Sequence, residues 1–300
     1  MDNKKKILAI INPISGTGNK GDMPSLIDGF IDNKIWDTEI CFTEYPGHAT
    51  ELASQAVSDR YDVVIAIGGD GTINEVALAL IDTPVALGIV PCGSGNGLAR
   101  HLHISTNTRE ALNIINNGYA ESVDYCMVNE RPFFCTCGAG FDAQVSQKFA
   151  EAGTRGLATY IKATINEFFN YHGENFRILI DGELIEEHAF VVACCNAAQY
   201  GNNAFIAPQA SMQDGLIDVT VIHNFNFLDG ALLGARMLTR QIENDKHVSI
   251  YQGRHIVIER NNEGLIHIDG DPQMMPQNLD IKCVSKGLKV ILNRTNTKKL

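Results

Sequence analysis

Through the first 120 or so residues, short β-branched apolar runs alternate with stretches in which apolar residues recur every three or four positions. The runs predict strands over Ile7–Ile11, Thr38–Phe42, Val63–Ile67 and Val85–Val90. The longer-period stretches predict helices over Pro24–Ile31, His48–Ser58, Ile73–Ile81 and Arg109–Asn117. Strict alternation of this kind is the βαβ pattern of a parallel sheet. After Val123 the pattern changes to strands set off by turn signals: Arg131–Cys137, Phe176–Ile180, Glu183–Cys195, Leu216–His223, His247–Ile258, Gly264–Ile268 and Leu279–Leu292. Two helical stretches interrupt this half, Leu157–Tyr171 and Leu228–Gln241. The first carries Leu157, Ile161, Ile165 and Phe168 on one face, as a core-facing amphipathic helix would. No internal repeat or low-complexity linker is visible. The change of pattern therefore divides the chain into an α/β domain over 1–124 and a mostly β domain over 125–300, with the C-terminal segment free to return to the first.

Composition narrows the function classes. The chain has 300 residues, with 35 Asp and Glu against 24 Lys and Arg, a net charge of −11. That excess opposes non-specific binding to nucleic acid. No apolar run reaches the roughly 18 to 20 residues of a spanning helix. The basic stretch Met1–Lys6 leads directly into Ile7–Ile11, too short for a signal-peptide core, and is expected to enter the first strand. The eight cysteines show no CxxC pairing, which fits free thiols in a reducing cytoplasm.

Chemistry concentrates in glycine-rich turns that follow strands. The apolar run Val63–Ile67 continues as Gly68-Gly69-Asp70-Gly71-Thr72-Ile73-Asn74-Glu75. A strand, a glycine turn and a helix start aim main-chain N–H groups at an anion, and glycines let phosphates approach the backbone. Thr72 is expected to cap the helix or donate to phosphate, and Asp70 to hold Mg²⁺ or orient the nucleotide. Taken alone, the segment is also compatible with a plain strand-to-helix turn. A second turn, Gly93-Ser94-Gly95-Asn96-Gly97, follows the next strand, so both would lie at the carboxyl edge of one sheet, where open α/β folds bind ligands. A third, Gly16-Thr17-Gly18-Asn19-Lys20-Gly21, formally matches GxGxxG, but Pro13 sits in the turn and no GK[ST] follows. It reads as a phosphate-proximal loop.

With these pieces the chain resembles the diacylglycerol kinase catalytic-domain family, which includes bacterial lipid kinases and sphingosine kinases. The resemblance runs through Asn12-Pro13 with Gly16, Thr43 with Gly47-His48-Ala49, GGDGTINE at 68–75 and GSGN at 93–96 with Ala99. It continues through Gly140-Phe141-Asp142-Ala143, Ala207-Pro208 with Asp214-Gly215-Leu216 and Asp218, and Asp269-Gly270-Asp271. GGDGT alone is shared with NAD kinases and phosphofructokinases; the ordered downstream motifs are what make the match specific.

The resemblance implies an NAD-kinase-like, three-layer α/β nucleotide domain, a β-sandwich domain, and a cleft between them that holds ATP, with lipid entering from the second domain. It implies ATP contacts from Asn12, Thr43, Gly68, Gly69, Asp70, Gly71, Thr72, Ile73, Asn74, Ser94, Gly95 and Asn96. A structural Mg²⁺ would be held by Asp214 with the carbonyls of Ser211 and Leu216. Asp271 stands where the family's DGE motif has the glutamate that accepts the proton of the lipid hydroxyl, and Asp70 would bridge nucleotide and metal in catalysis. Asp181-Gly182-Glu183 also spells DGE, but it lies between alternating apolar runs and reads as a hairpin turn. The implied activity is an ATP-dependent lipid kinase acting on diacylglycerol or a related lipid. A sphingoid-base kinase, an NAD kinase and an inactive nucleotide- or lipid-binding regulator are the rivals. Asp142 is the nearest carboxylate for a sphingoid amine. The chain is expected to be cytoplasmic and to visit a membrane peripherally, and a homodimer is compatible with the sequence.

Overall fold

The structure is a computed structural model and describes residues 4–16, 21–151, 164, 168 and 171–294. The chain forms two compact units: one comprises Met1–Val123 with Lys286–Leu300, the other Asp124–Ser285. The last strand therefore begins in the second unit and ends in the first.

In the first unit, β1 (Lys5–Ile11), β2 (Trp36–Phe42), β3 (Val63–Gly68) and β4 (Ala86–Pro91) lie parallel in the order β2-β1-β3-β4. The end of β15 (Asn278–Leu292) extends the sheet parallel to β4 at Val290↔Leu87. β3 and β4 are buried along their whole lengths, which explains why they read as continuous rather than alternating apolar runs. Helices α1 (Met23–Phe30) and α5 (Thr108–Asn117) pack on each other, as do α2 (His48–Ser58) and α3 (Asp70–Leu80). With the right-handed crossovers that parallel strands take as a rule, the strand order β2-β1-β3-β4 assigns the two pairs to opposite faces, which gives three layers. Strand order reverses at β1, so β1 and β3 flank the switch point.

The second unit is mostly β. Strand β9 (Glu183–Cys195) pairs with β8 (Glu174–Ile180) through its first half. Its second half pairs with β7 (Thr136–Gly140) and β10 (Ile217–His223). β12 (His255–Glu259) joins β8 to β15, β13 (Gly264–Ile268) joins β7 to β14 (Asp271–Met275), and β11 (Val248–Gly253) edges β10. The core between these strands holds Phe133, Phe176, Ile178, Val192, Val219, Ile256, Ile266 and Ile281, all essentially inaccessible. The α/β first half and mostly β second half expected from the pattern are both present.

Several elements differ from expectation. β5 (Tyr119–Val128), helices α4 (Gly97–His101) and α6 (Phe141–Glu151), and β14 were not predicted. Arg131–Cys137 is not one strand but β6 (Arg131–Phe133) followed by β7. The break falls where the amides of Phe134 and Cys135 turn toward the Asp269 carboxylate. His247–Ile258 is likewise split at Arg254, whose amide, with that of His255, is held by Asp181. The helix expected over Leu228–Gln241 is α7 (Phe227–Leu238). The helix expected over Leu157–Tyr171 and the loop at 17–20 lie outside the described residues, apart from Thr164, Phe168 and Tyr171.

Candidate functional site

The carboxyl ends of the parallel strands carry Asn12 after β1, Thr43 after β2, the Gly68–Thr72 turn after β3 and the Gly93–Asn96 turn after β4. At the switch point Asn12 Nδ2 donates to Thr72 Oγ1 at 2.9 Å, and Asn12 N donates to Ile67 O at 3.0 Å. Thr72 is buried in the first turn of α3 and is not its cap. The cap is Gly69, which has no side chain to satisfy the first amides, so the helix start keeps main-chain donors for an anion. Gly71 is exposed, and Asn74 is half-buried one turn on. Ile73 is fully buried and its amide bonds Gly69 O at 3.1 Å, which gives it a packing role.

Asp70 binds the two glycine turns together. Its Oδ2 accepts from Asn96 N at 2.9 Å and its Oδ1 from Gly97 N at 2.7 Å. Asn96 adopts the left-handed conformation (φ 50°) that Asn tolerates better than most residues, and its amide side chain brackets Gly93 with bonds to N (3.0 Å) and O (2.8 Å). Space is the reason for glycine here. A Cβ on Gly93 would lie 2.9 Å from Gly69 Cα, and one on Gly16 would lie 1.9 Å from Cys92 O. Three turns thus meet within van der Waals reach, while Ser94 stands exposed on the outer rim and Thr43 is half-buried at the end of β2.

Glu75 extends the lattice: its carboxylate accepts from Gly47 N (3.1 Å) and Ala49 N (3.2 Å), supplying a cap that the α2 N-terminus otherwise lacks. The Gly47-His48-Ala49 and GGDGTINE segments are therefore direct partners. His48 stacks on Tyr45 with ring centroids 4.5 Å apart and accepts from Glu44 N, a local structural role.

In the second unit, Asp269 and Gly270 form the two-residue turn between β13 and β14, both at positive φ (49° and 90°), and Ile268 pairs with Asp271 across it. The Asp269 carboxylate accepts from the amides of Phe134, Cys135 and Thr136 at 2.8, 2.7 and 3.0 Å. Asp271 begins β14 and is exposed. Asp181 and Gly182 form a second turn with almost the same backbone (φ 48° and 92°) between β8 and β9.

The metal candidates Ser211, Asp214 and Leu216 share one loop, in which Asp214 Oδ1 accepts from Leu216 N at 3.0 Å. Two residues that the sequence reading left out of the site support it. Asp124 Oδ2 accepts from Gly215 N at 2.8 Å, and Asp218 is buried beside the loop. Asp218 Oδ1 accepts from Gln252, while Oδ2 is buried with no hydrogen-bond donor among the described residues. Burial raises its carboxyl to about 6, against the pull of the Gln252 bond and with some repulsion from Asp214. An unsatisfied carboxylate oxygen near a second carboxylate offers hard oxygen donors of the kind Mg²⁺ takes, and the main-chain carbonyls of Ser211 and Leu216 would have to supply the rest. Among the described residues, no three His, Cys, Asp or Glu side chains converge as metal ligands, so such a site would depend on those carbonyls. The only sequence signal for Asp124 was a lone charge in an apolar run.

Residues 6–128 match the diacylglycerol kinase catalytic domain and residues 135–292 the YegS C-terminal NAD kinase β-sandwich-like domain. The chain belongs to the diacylglycerol kinase catalytic-domain family. It is 26% identical over 274 residues to a diacylglycerol kinase of Bacillus subtilis, covering 89% of this chain and 90% of that one. It is 28% identical over 277 residues to a diacylglycerol kinase of Staphylococcus aureus, covering 89% and 86%. Its fold is that of a diacylglycerol kinase from Bacillus anthracis (TM-score 0.77, 21% identity, 98% of this chain and 99% of that one). More distantly it is that of yeast NADH kinase (TM-score 0.54, 13% identity, 98% and 85%). Family membership implies a kinase that uses ATP.

Proposed function

We propose that the protein transfers the γ-phosphoryl group of ATP to the hydroxyl of diacylglycerol. The observation that carries this reading is the lattice joining Asn12, Thr72, Asp70, Asn96 and Glu75. It fixes the glycine turns and the α3 N-terminus, which no side chain caps, at the sheet's switch point, a ready cradle for polyphosphate.

The first unit is assigned the nucleotide, with Thr43, Asn74, Ser94 and Gly95 lining the phosphates and nucleoside. The second unit is assigned the acceptor and Asp271 as its base. Asp271 accepts the hydroxyl proton as the acceptor oxygen attacks phosphorus in line with the departing ADP oxygen. Main-chain N–H groups of the turns stabilise the charge on the γ-phosphoryl oxygens. Asp70, with both carboxylate oxygens engaged by amides, acts chiefly by holding the turns. Ser211, Asp214 and Leu216, with Asp218, would hold a structural Mg²⁺, whose charge neutralises the carboxylates of that loop.

Two features support a lipid acceptor. The second unit has a cavity of about 360 Å³ lined by Phe168, Tyr171, His172, Phe190, Asn224 and Phe225. Phe168 also meets Phe227, which opens an apolar exposed stripe along α7 that includes Leu228, Leu232 and Leu238. Such a stripe suits brief contact with a bilayer surface. Among the described residues no helix is long and apolar enough to cross one. Asp142 does not present a carboxylate to a sphingoid amine: its Oδ2 already receives Tyr200 and faces His267, and it is buried. This favours diacylglycerol over a long-chain base.

The test is purified protein with Mg²⁺ and γ-labelled ATP against diacylglycerol, sphinganine, NAD or no acceptor. Organic-extractable label with diacylglycerol is expected; label only in NAD, or none despite ATP binding, would overturn the reading. Asp271→Asn should lower kcat by about 10²–10⁴-fold with ATP binding intact, and near-wild-type turnover would remove Asp271 as the base.

A further inference from the structure

Three polar side chains in the second unit, buried Asp142 and His267 with half-buried Tyr200, form a chain that phosphoryl transfer does not itself require. Asp142, in the first turn of α6, accepts from Ala143 N at its Oδ1 (2.8 Å). Its Oδ2 accepts the Tyr200 hydroxyl (2.9 Å) and faces His267 Nε2 (3.0 Å). Asp142 and His267 are 5% and 2% exposed, and the Tyr200 ring stands edge-on to the imidazole at 5.6 Å. Strand β7 passes this pair at Gly138, where a Cβ would sit 2.2 Å from Asp142 Oδ2 and 2.6 Å from His267 Nε2. The other ring nitrogen, His267 Nδ1, accepts the main-chain N–H of Gly270 at 3.4 Å. A nitrogen that accepts an N–H carries no proton of its own, so the proton resides on Nε2 and is donated to Asp142.

We propose that Tyr200, Asp142 and His267 are positioning residues for the Asp269-Gly270-Asp271 turn. Asp142, oriented by Tyr200, fixes the imidazole in the Nε2–H tautomer, and Nδ1 then holds the Asp269–Gly270 peptide, one peptide unit before the one that leads into Asp271. The turn is clamped twice: at its first residue by the three amides on the Asp269 carboxylate, and at its second by His267. The molecule contains its own control. The Asp181-Gly182 turn has the same backbone and an aspartate holding two distant amides, Arg254 and His255, yet the residue two positions before it is Leu179, which offers no acceptor. A hairpin alone needs only the first clamp. The second belongs to the turn followed by the assigned base, and the inference rests on that assignment.

The two halves of the imidazole can be separated by substitution. His267→Asn puts an amide oxygen near the place of Nδ1 and keeps the Gly270 acceptor while giving up Asp142. His267→Gln keeps a donor toward Asp142 and gives up Gly270. With dioleoylglycerol in mixed micelles and Mg-ATP, His267→Gln should lose about 10–100-fold in kcat at unchanged KM for ATP, the scale of a misplaced catalytic group. His267→Asn should stay within about threefold of wild type. Hydrogen exchange at the Gly270 amide should speed up in the Gln variant only. Wild-type kcat and Gly270 protection in His267→Gln would overturn the proposal, as would equal losses in both variants with unchanged exchange at Gly270. If Asp271→Asn keeps its turnover, the base assignment fails, while the Gly270 exchange still decides whether the clamp exists. Should neither variant fold, a long-range ¹H–¹⁵N spectrum of the wild-type protein decides the question: a proton on His267 Nε2 is expected, and one on Nδ1 refutes it.

Discussion

Asp70→Asn tests whether the two glycine turns are held by one carboxylate. The side chain accepts from Asn96 N and Gly97 N through different oxygens, at 2.9 and 2.7 Å, and both residues are buried. An asparagine has one oxygen to offer, so whichever way its amide turns, one main-chain N–H faces an NH₂ group. A hydrogen bond to a charged group contributes about 1.5–3 kcal/mol, and a buried donor left unpaired costs about 1–3 kcal/mol. Because the turns can relax in part, a net loss of about 2–4 kcal/mol is expected, lowering the melting temperature by roughly 5–10 °C. The turn at 93–97 would leave its binding conformation for part of the time, weakening ATP by about tenfold or more. Scanning fluorimetry and calorimetric ATP titration read both quantities on one preparation. If the variant melts and binds ATP as wild type does while kcat collapses, Asp70 acts on the reacting phosphoryl group and the tie is incidental. Unchanged melting, binding and turnover would show that the tie contributes nothing.

Gly93→Ala should weaken ATP binding by about tenfold or more, measured by the same titration, because its Cβ meets the Gly69 backbone, which cannot yield as a flexible side chain does. Gly71→Ala, with nothing within 4 Å of its Cβ, should leave the fold intact and serves as the steric control. Mg²⁺ should raise the melting temperature of chelator-treated wild-type protein, and Asp214→Ala should abolish that increment, read by fluorimetry at fixed pH. The thiols of Cys137, Cys194 and Cys195 are pushed up by burial, Cys194 to about 12. Raised values keep the unreactive thiol form throughout pH 7–9, so iodoacetamide at pH 8 should spare these three until denaturant is added, as peptide mass spectrometry would show.

What the sequence by itself determined is everything that depends on near neighbours. The fully apolar runs Val63–Ile67 and Val85–Val90 announced buried parallel strands, because a strand covered on both faces has no reason to alternate. The glycine clusters at 68–71 and 93–97 announced tight turns, because the lack of a side chain that lets backbones approach closely is a property of single residues. Motif order along the chain was enough to identify the family. The tertiary structure alone decided which residues work together. Asp70 reaches Asn96 across 26 positions, Glu75 reaches Gly47 across 28, and Asp142 reaches His267 across 125. It also set where strands stop. Arg131–Cys137 reads as one uninterrupted strand, and it is broken by the carboxylate of Asp269, more than 130 residues later. The reason is physical: periodicity and turn propensity act through bonds over a few residues, whereas a buried carboxylate takes whichever amides the fold brings to it, and their distance along the chain leaves no mark on the local pattern.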